Sequence, residues 1–249
     1  MDIQEFMDSQ NRIEYDIENS VKHNSFLNDA IYDGVADIES YLKSSPKVAW
    51  LLKEPWDDFE NGNPSGGGWS IPRDCFMKED QEWKVRTWQR AIYVMYGLKY
   101  NLHYSEMDYI RDDPEMGKVL REVAWINLSK MPAFSTSSIK QITNQYQNIW
   151  RPIVLNQLDL YAPDVIVFGN TLQCCREDFL SKNDVPIKTI EHNGVCFINI
   201  YKRNSTVLLD AFHPAFITVG AGKGSVEFYV DSLIDAIRNF SEYYEIPNR

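Results

Sequence analysis

Val48-Ala49-Trp50-Leu51-Leu52 is an unbroken apolar run with no polar residue at alternate positions. A strand with one wet face alternates apolar and polar side chains. An unbroken run instead implies burial on both faces, the pattern of parallel sheets covered by helices. Val123-Ala124-Trp125-Ile126-Asn127-Leu128 and Asp164-Val165-Ile166-Val167-Phe168-Gly169 repeat the pattern. Val195-Cys196-Phe197-Ile198-Asn199-Ile200 and Thr206-Val207-Leu208-Leu209-Asp210 read as a final pair of strands. Between these runs the apolar period lengthens to that of a helix over residues 80–98, over 137–160 with a kink expected at Pro152, and over 225–243 with Ser225 as the cap. Strands alternating with helices predict an α/β fold with a mostly parallel sheet and helices on both faces.

Residues 1–45 carry Phe6, Ile13, Val21, Ile31 and Ile38 at helical spacing and predict a helical N-terminal extension packed on the body, so that 1–249 form a single domain. Lys53 to about Phe76 is a long loop containing Asn61-Gly62-Asn63-Pro64-Ser65-Gly66-Gly67-Gly68, a composition with little helix or strand potential. Loops this long inside a compact domain are usually functional or disordered.

Composition narrows the partners. The formal net charge of −11 argues against a surface that coats nucleic acid throughout, although a local basic groove remains compatible with it. Arg73, Lys84, Arg86 and Arg90, and then Lys202, Arg203 and Lys223, cluster in sequence, and each group reads first as a solvated face. The four cysteines form no C-x-x-C pair, so zinc and iron–sulfur spacings are missing and no metal or cofactor is expected. They read as reduced thiols of a cytoplasmic protein. The acidic N-terminus lacks a signal peptide's apolar stretch, and no apolar run approaches a membrane span. Gly220-Ala221-Gly222-Lys223-Gly224-Ser225 fails the Walker A spacing and reads as a flexible loop before a capped helix.

In parallel sheets ligands bind at the carboxyl ends of the strands, so the residues just after each run are the informative ones. They are Lys53-Glu54-Pro55-Trp56 after the first, Asn127 with Ser129-Lys130-Met131-Pro132 at the second, Gly169-Asn170 at the third and Phe212-His213-Pro214-Ala215 after the last. A carboxylate can orient water or steady a cation, a neutral imidazole can donate to an oxyanion, and an amide can read a polar ring edge.

Taken in order, Leu52-Lys53-Glu54-Pro55-Trp56, Ile126 to Pro132, Val165 to Asn170 and His213-Pro214-Ala215 resemble the motifs of the uracil-DNA glycosylase superfamily, over residues 47–217. The resemblance implies a three-layer αβα sandwich with a central, mostly parallel four-stranded sheet. It implies excision of uracil or a related damaged base from DNA, with Glu54 positioning water and His213 bonding the departing base anion. Asn127 would read the base edge, and Trp69 or Phe76 would stack on it. Trp56 falls where some branches exclude the thymine methyl, and its bulk could also fill the pocket. Lys130, Phe216, the apolar wedge Ile217 and Lys223 would meet DNA. Glu54 replaces the family's Asp, and the iron–sulfur cysteines of one branch are missing. Two alternatives stand beside excision: a nucleotide- or nucleobase-binding member of the same fold, and an inactive interaction protein on that scaffold. A monomer with no membrane partner is expected in each case.

Overall fold

The structure, a computed structural model, describes residues 2–26, 28–57, 59–60, 63–64, 66–133, 137–216 and 226–245, with backbone alone at 59, 60, 63, 64 and 216. The chain opens with helix α1 (Ile3–His23), strand β1 (Gly34–Val35), helix α2 (Ile38–Lys43) and strand β2 (Val48–Leu52). A two-stranded ribbon β3 (Phe59–Glu60) and β4 (Asn63–Pro64) lies in the long loop, followed by α3 (Arg86–Tyr100) and β5 (Ala124–Asn127). Then come α4 (Ile139–Gln145), α5 (Arg151–Tyr161), β6 (Val165–Gly169), α6 (Leu172–Phe179), β7 (Lys188–His192), β8 (Val195–Arg203), β9 (Thr206–Ala211), α7 (Val226–Arg238) and α8 (Phe240–Glu245).

The main sheet has seven strands in the order β1-β5-β2-β6-β9-β8-β7, which corrects the expected four. The pairs β5–β2, β2–β6 and β6–β9 are parallel. The additional strands are antiparallel: β1 on β5 at one edge, and β8 on β9 with β7 on β8 at the other. All five residues of β2 are buried, as the unbroken apolar run required. Their side chains alternate between two apolar layers. Val48, Trp50 and Leu52 join Val165, Val167, Val207 and Leu209 under α3, α7 and α8, while Ala49 and Leu51 join Ile126, Ile166 and Phe168 under α1, α4, α5 and α6. Each fully buried large apolar side chain contributes about 1.5–3 kcal/mol, so these two layers carry most of the fold.

Three differences from the sequence reading have physical causes. The helix expected from residue 80 starts at Arg86 because Trp83 takes a left-handed backbone (φ 48°) and sinks its ring against Gly117, with Nε1 donating to the Pro114 carbonyl at 2.8 Å. The long helix expected over 137–160 is interrupted by a π-helical turn at Tyr146–Trp150, and Pro152 sits in the first turn of α5, where its missing N–H costs nothing. The N-terminal 45 residues are not all helix. Between α1 and α2 the chain runs extended and contributes β1 to the sheet edge. The expected capping residue Ser225 lies outside the described residues.

The glycine run of the long loop has a defined place. The Asp29 N–H donates to the Gly66 carbonyl, the Gly68 N–H to Ala30, and the Tyr32 N–H to Trp69, each at 2.9 Å. At Gly67 (φ 80°) a Cβ would lie 2.1 Å from the Asp29 carbonyl oxygen, so only glycine permits this approach. Gly67→Ala is therefore expected to lose at least about 2 kcal/mol of stability in urea unfolding, from strain and displaced backbone. An unchanged midpoint would mean that the loop does not hold this path in solution.

Candidate active site at the carboxyl edge of the sheet

The connection leaving β2 passes under α3 to β5 on one side, whereas the connection leaving β6 passes through α6 toward β9 on the other. Adjacent strands whose connections diverge leave a crevice at their carboxyl ends, and here it opens between β2 and β6. Gly169 closes β6 at this point. A Cβ there would come within 2.5 Å of Leu52 Cδ2 and 3.3 Å of Pro214 Cδ, and 3.7 Å from His213 Cδ2. The ends of β2 and β6 and the segment after β9 thus converge on one spot. Asn170 makes the turn that follows in a left-handed conformation (φ 59°), its N–H donating to the Ala211 carbonyl at 2.8 Å.

The exits of β2 and β5 run side by side. The Leu128 N–H donates to the Leu52 carbonyl and the Ser129 N–H to Lys53, both at 2.8 Å, and the Ala133 N–H donates to Pro55 at 2.9 Å. The two segments singled out in the sequence are therefore zipped into one edge. Asp57 fastens the far end: its buried carboxylate accepts from the Gly66 N–H at 2.8 Å and from Trp69 Nε1 at 3.1 Å.

Glu54 follows β2. Its Oε1 accepts the Ser137 N–H at 3.0 Å, while Oε2 is buried without a hydrogen-bond donor among the described residues. Burial raises its pKa above the ordinary carboxylate value, partly opposed by the bonds from Ser137 and the charge of Lys53. A carboxylate with one oxygen anchored and one unengaged is suited to orient water or face a cation.

His213 follows β9. Its Nδ1 accepts the Ala215 N–H at 3.2 Å, so the neutral ring carries its proton on Nε2. Burial, reinforced by the positive charge of Lys53, pushes its pKa down to about 4. The imidazole is neutral at physiological pH and presents an N–H donor, the form needed to bond a developing anion. Lys53, which follows β2 directly, lowers the pKa of both Glu54 and His213. Nothing in the sequence reading marked Lys53 for this role, because its position next to His213 depends on the fold.

The other expected residues divide. Asn127 ends β5 and is buried, with its backbone N–H and Nδ2 both directed to Asp33 Oδ2 at 2.6 and 3.2 Å. Lys130 is a correction. Its ammonium group is fully enclosed, 2.8 Å from both Asp33 oxygens and from Gln157 Oε1, and reaches no surface where a phosphate could lie. Phe76 is a second correction: fully buried, it packs edge-on against Trp125 and Trp88 in the core and is closed to a stacking base. Trp69 is partly buried and tethered to Asp57. Trp56, at 56% exposed, does not fill a pocket; its backbone bridges to Ala133. Only the backbone of Phe216 is described, in the turn Pro214–Phe216. Ile217 and Lys223 lie outside the described residues. All four cysteines are free thiols. Among the described residues no cluster of His, Cys, Asp or Glu has the makings of a metal site, and no helix is long and apolar enough to cross a membrane.

No family model and no curated protein matches the chain.

Two predictions follow from the buried charges. Lys130→Met leaves Asp33 as an unpaired buried carboxylate, and a loss of about 3–5 kcal/mol is expected in urea unfolding. The exposed pair between Arg73 and Glu14 is the control, with Arg73→Gln losing less than about 1 kcal/mol. Equal losses would dissolve the distinction. The second concerns Asp210, whose pKa burial raises to about 6 despite the nearby Arg176. As pH falls from 7 to 4 the folded state takes up this proton before the unfolded chain does, so Asp210 adds stability toward acid, up to about 3 kcal/mol. His213 acts oppositely, since the unfolded ring protonates near 6.5 and the folded ring near 4, so its contribution is lost as pH falls through that window. Asp210→Asn should therefore be more stable than wild type at pH 7, with the difference vanishing near pH 4. A constant difference across this range would refute the assignment.

Proposed function

We propose that the protein is a base-excision glycosylase on a uracil-DNA glycosylase-like αβα scaffold, hydrolysing the N-glycosidic bond of uracil or a related damaged base extruded from DNA. The observation that carries this reading is that a half-engaged carboxylate, Glu54, and a neutral imidazole, His213, that presents Nε2–H both stand at carboxyl ends of strands of one sheet. The scaffold reading draws on the parallel run β5-β2-β6-β9 with helices on both faces.

A base inside a duplex is unreachable, so the nucleotide must be flipped into a pocket. The C1′–N bond then breaks with its electron pair passing to the base, leaving an oxocarbenium-like sugar. Glu54 Oε2, as the carboxylate, stabilises that cation and orients the water that bonds to C1′. Nε2–H of His213 donates to the developing charge on the base oxygen. The proton lost by the water ends on the departing base. Asn127, buried and held by Asp33, stands at the end of β5 where the resemblance puts the amide that reads the base edge.

A second reading, binding of a nucleotide or nucleobase without cutting DNA, is favoured by one specific observation. Lys130, a cation expected to meet phosphate, is locked inside the protein, on a chain of net charge −11.

The deciding measurement is strand cleavage, after alkali, of uracil-containing single- and double-stranded oligonucleotides. Wild type should cleave, and His213→Ala should lose about 100- to 1,000-fold. Because His213 stays neutral down to about pH 4, the acid limb of the rate belongs to Glu54 and should lie above the ordinary carboxylate range and vanish in Glu54→Gln. Folded wild type that cleaves neither substrate removes the uracil assignment and shifts the reading to another base, to nucleotide binding or to a scaffold role.

A further inference from the structure

Outside the sheet edge, α3, the segment 104–111 and the start of α7 enclose a cleft of about 410 Å³. Its polar lining is Gln89 and Arg90 from α3, then Tyr93, Tyr104, Tyr109 and Arg111. The chain carries 36 acidic and 25 basic residues, yet among the described residues no carboxylate lines this cleft. Carboxylates stand around it: Glu227 follows the lining residue Val226 and acts electrostatically on Tyr104. Asp231 accepts the Tyr104 N–H at 2.7 Å, and Asp112 makes a 3.4 Å contact with Arg111 at the surface. That contact is largely solvated, since the Arg111 side chain is 79% exposed, and it holds the guanidinium weakly.

The aromatic groups are arranged as a surface. Tyr93 and Tyr104 meet edge to face at 5.0 Å, and the Arg111 guanidinium lies 5.2 Å from the centre of the Tyr109 ring. Tyr93 Oη accepts the Ile110 N–H at 3.0 Å, which fixes the ring and directs its own O–H elsewhere. Two guanidiniums suit a phosphate, which they bind in a forked geometry, while tyrosine faces suit a planar ring. The volume is that of a small-molecule site.

We propose that this cleft binds a nucleoside monophosphate, the phosphate held by Arg90 and Arg111 and the planar base against Tyr109 and Tyr104. The same chemistry is presented by a free nucleotide and by one unit of a single strand. The assignment is independent of base excision at the sheet edge.

The test is calorimetric titration with inorganic phosphate, a nucleoside, the corresponding nucleoside 5′-monophosphate, and a short uracil-free single strand. The monophosphate should bind at least about tenfold more tightly than phosphate or nucleoside alone, because both halves of the site contribute. Arg111→Gln should weaken it about tenfold, and Tyr109→Ala should abolish its advantage over inorganic phosphate. Both side chains are exposed, so these variants should fold. Tighter binding of the strand, with the same losses, would support the site and identify strand nucleotides as its occupant. His213→Ala should bind as wild type does, which separates this result from the fate of the excision reading. No binding of monophosphate or strand at millimolar concentration, or unchanged affinity in both variants, would overturn the proposal.

Discussion

Asp33 holds the carboxyl edge of the sheet together. One buried carboxylate receives the backbone and side-chain N–H groups of Asn127, the ammonium of Lys130 and the side-chain amide of Gln157. Those donors come from the end of β5, the loop after it and α5, while Asp33 itself immediately precedes β1. A buried charge is tolerated only when paired and hydrogen-bonded, so each of these segments has one position that satisfies it. The Lys130 carbonyl also accepts the Ile31 N–H at 2.9 Å, which closes the arrangement from the other side. With the β5 exit fixed, the bonds from Leu128, Ser129 and Ala133 fix the β2 exit beside it. The place of Glu54 is thus set by an ion pair that never touches solvent.

The chemistry of the edge comes from unequal burial. His213 is desolvated and close to Lys53, and both effects favour the neutral ring. Glu54 is desolvated too, but Ser137 and Lys53 favour its charged form and limit the rise. One cation therefore acts in opposite senses on the two groups, keeping the imidazole neutral and helping the carboxylate ionise. That division matches a donor for an anion on one side and a carboxylate for a cation on the other.

Much of the scaffold was legible because backbone burial leaves a direct mark on composition. A strand covered on both faces must be apolar throughout, and β2, β5 and β6 lie within one or two residues of the runs that announced them. The edge strands were not read. β1 is two residues long, too short for any period, and β7 is mostly exposed. The hairpin joining β7 to β8 did carry a signal in Asn193-Gly194, both left-handed, a pair that favours tight hairpin turns. The strand ends were also legible, and Glu54 and His213 meet at one edge because parallel strands send their carboxyl ends the same way.

Residue type and chain position determined which groups stand at the strand ends. They could not determine solvation, because burial belongs to the folded surface and not to the residue. Lys130 and Asn127 follow the same strand, yet Lys130 is enclosed by Asp33 and Gln157, partners 97 and 27 residues away. Phe76 and Trp69 belong to the same loop, but Phe76 fills the space between Trp125 and Trp88 while Trp69 stays partly exposed near the edge. Lys53 is an ordinary lysine in sequence, and in the fold its charge acts on His213. The amino-acid order was enough to define the unbroken apolar runs, and with them a helix-covered, mostly parallel sheet and the residues at its carboxyl edge. Which of those residues face water and which hold the others in place was settled by packing, because long-range pairing and desolvation arise when distant segments meet.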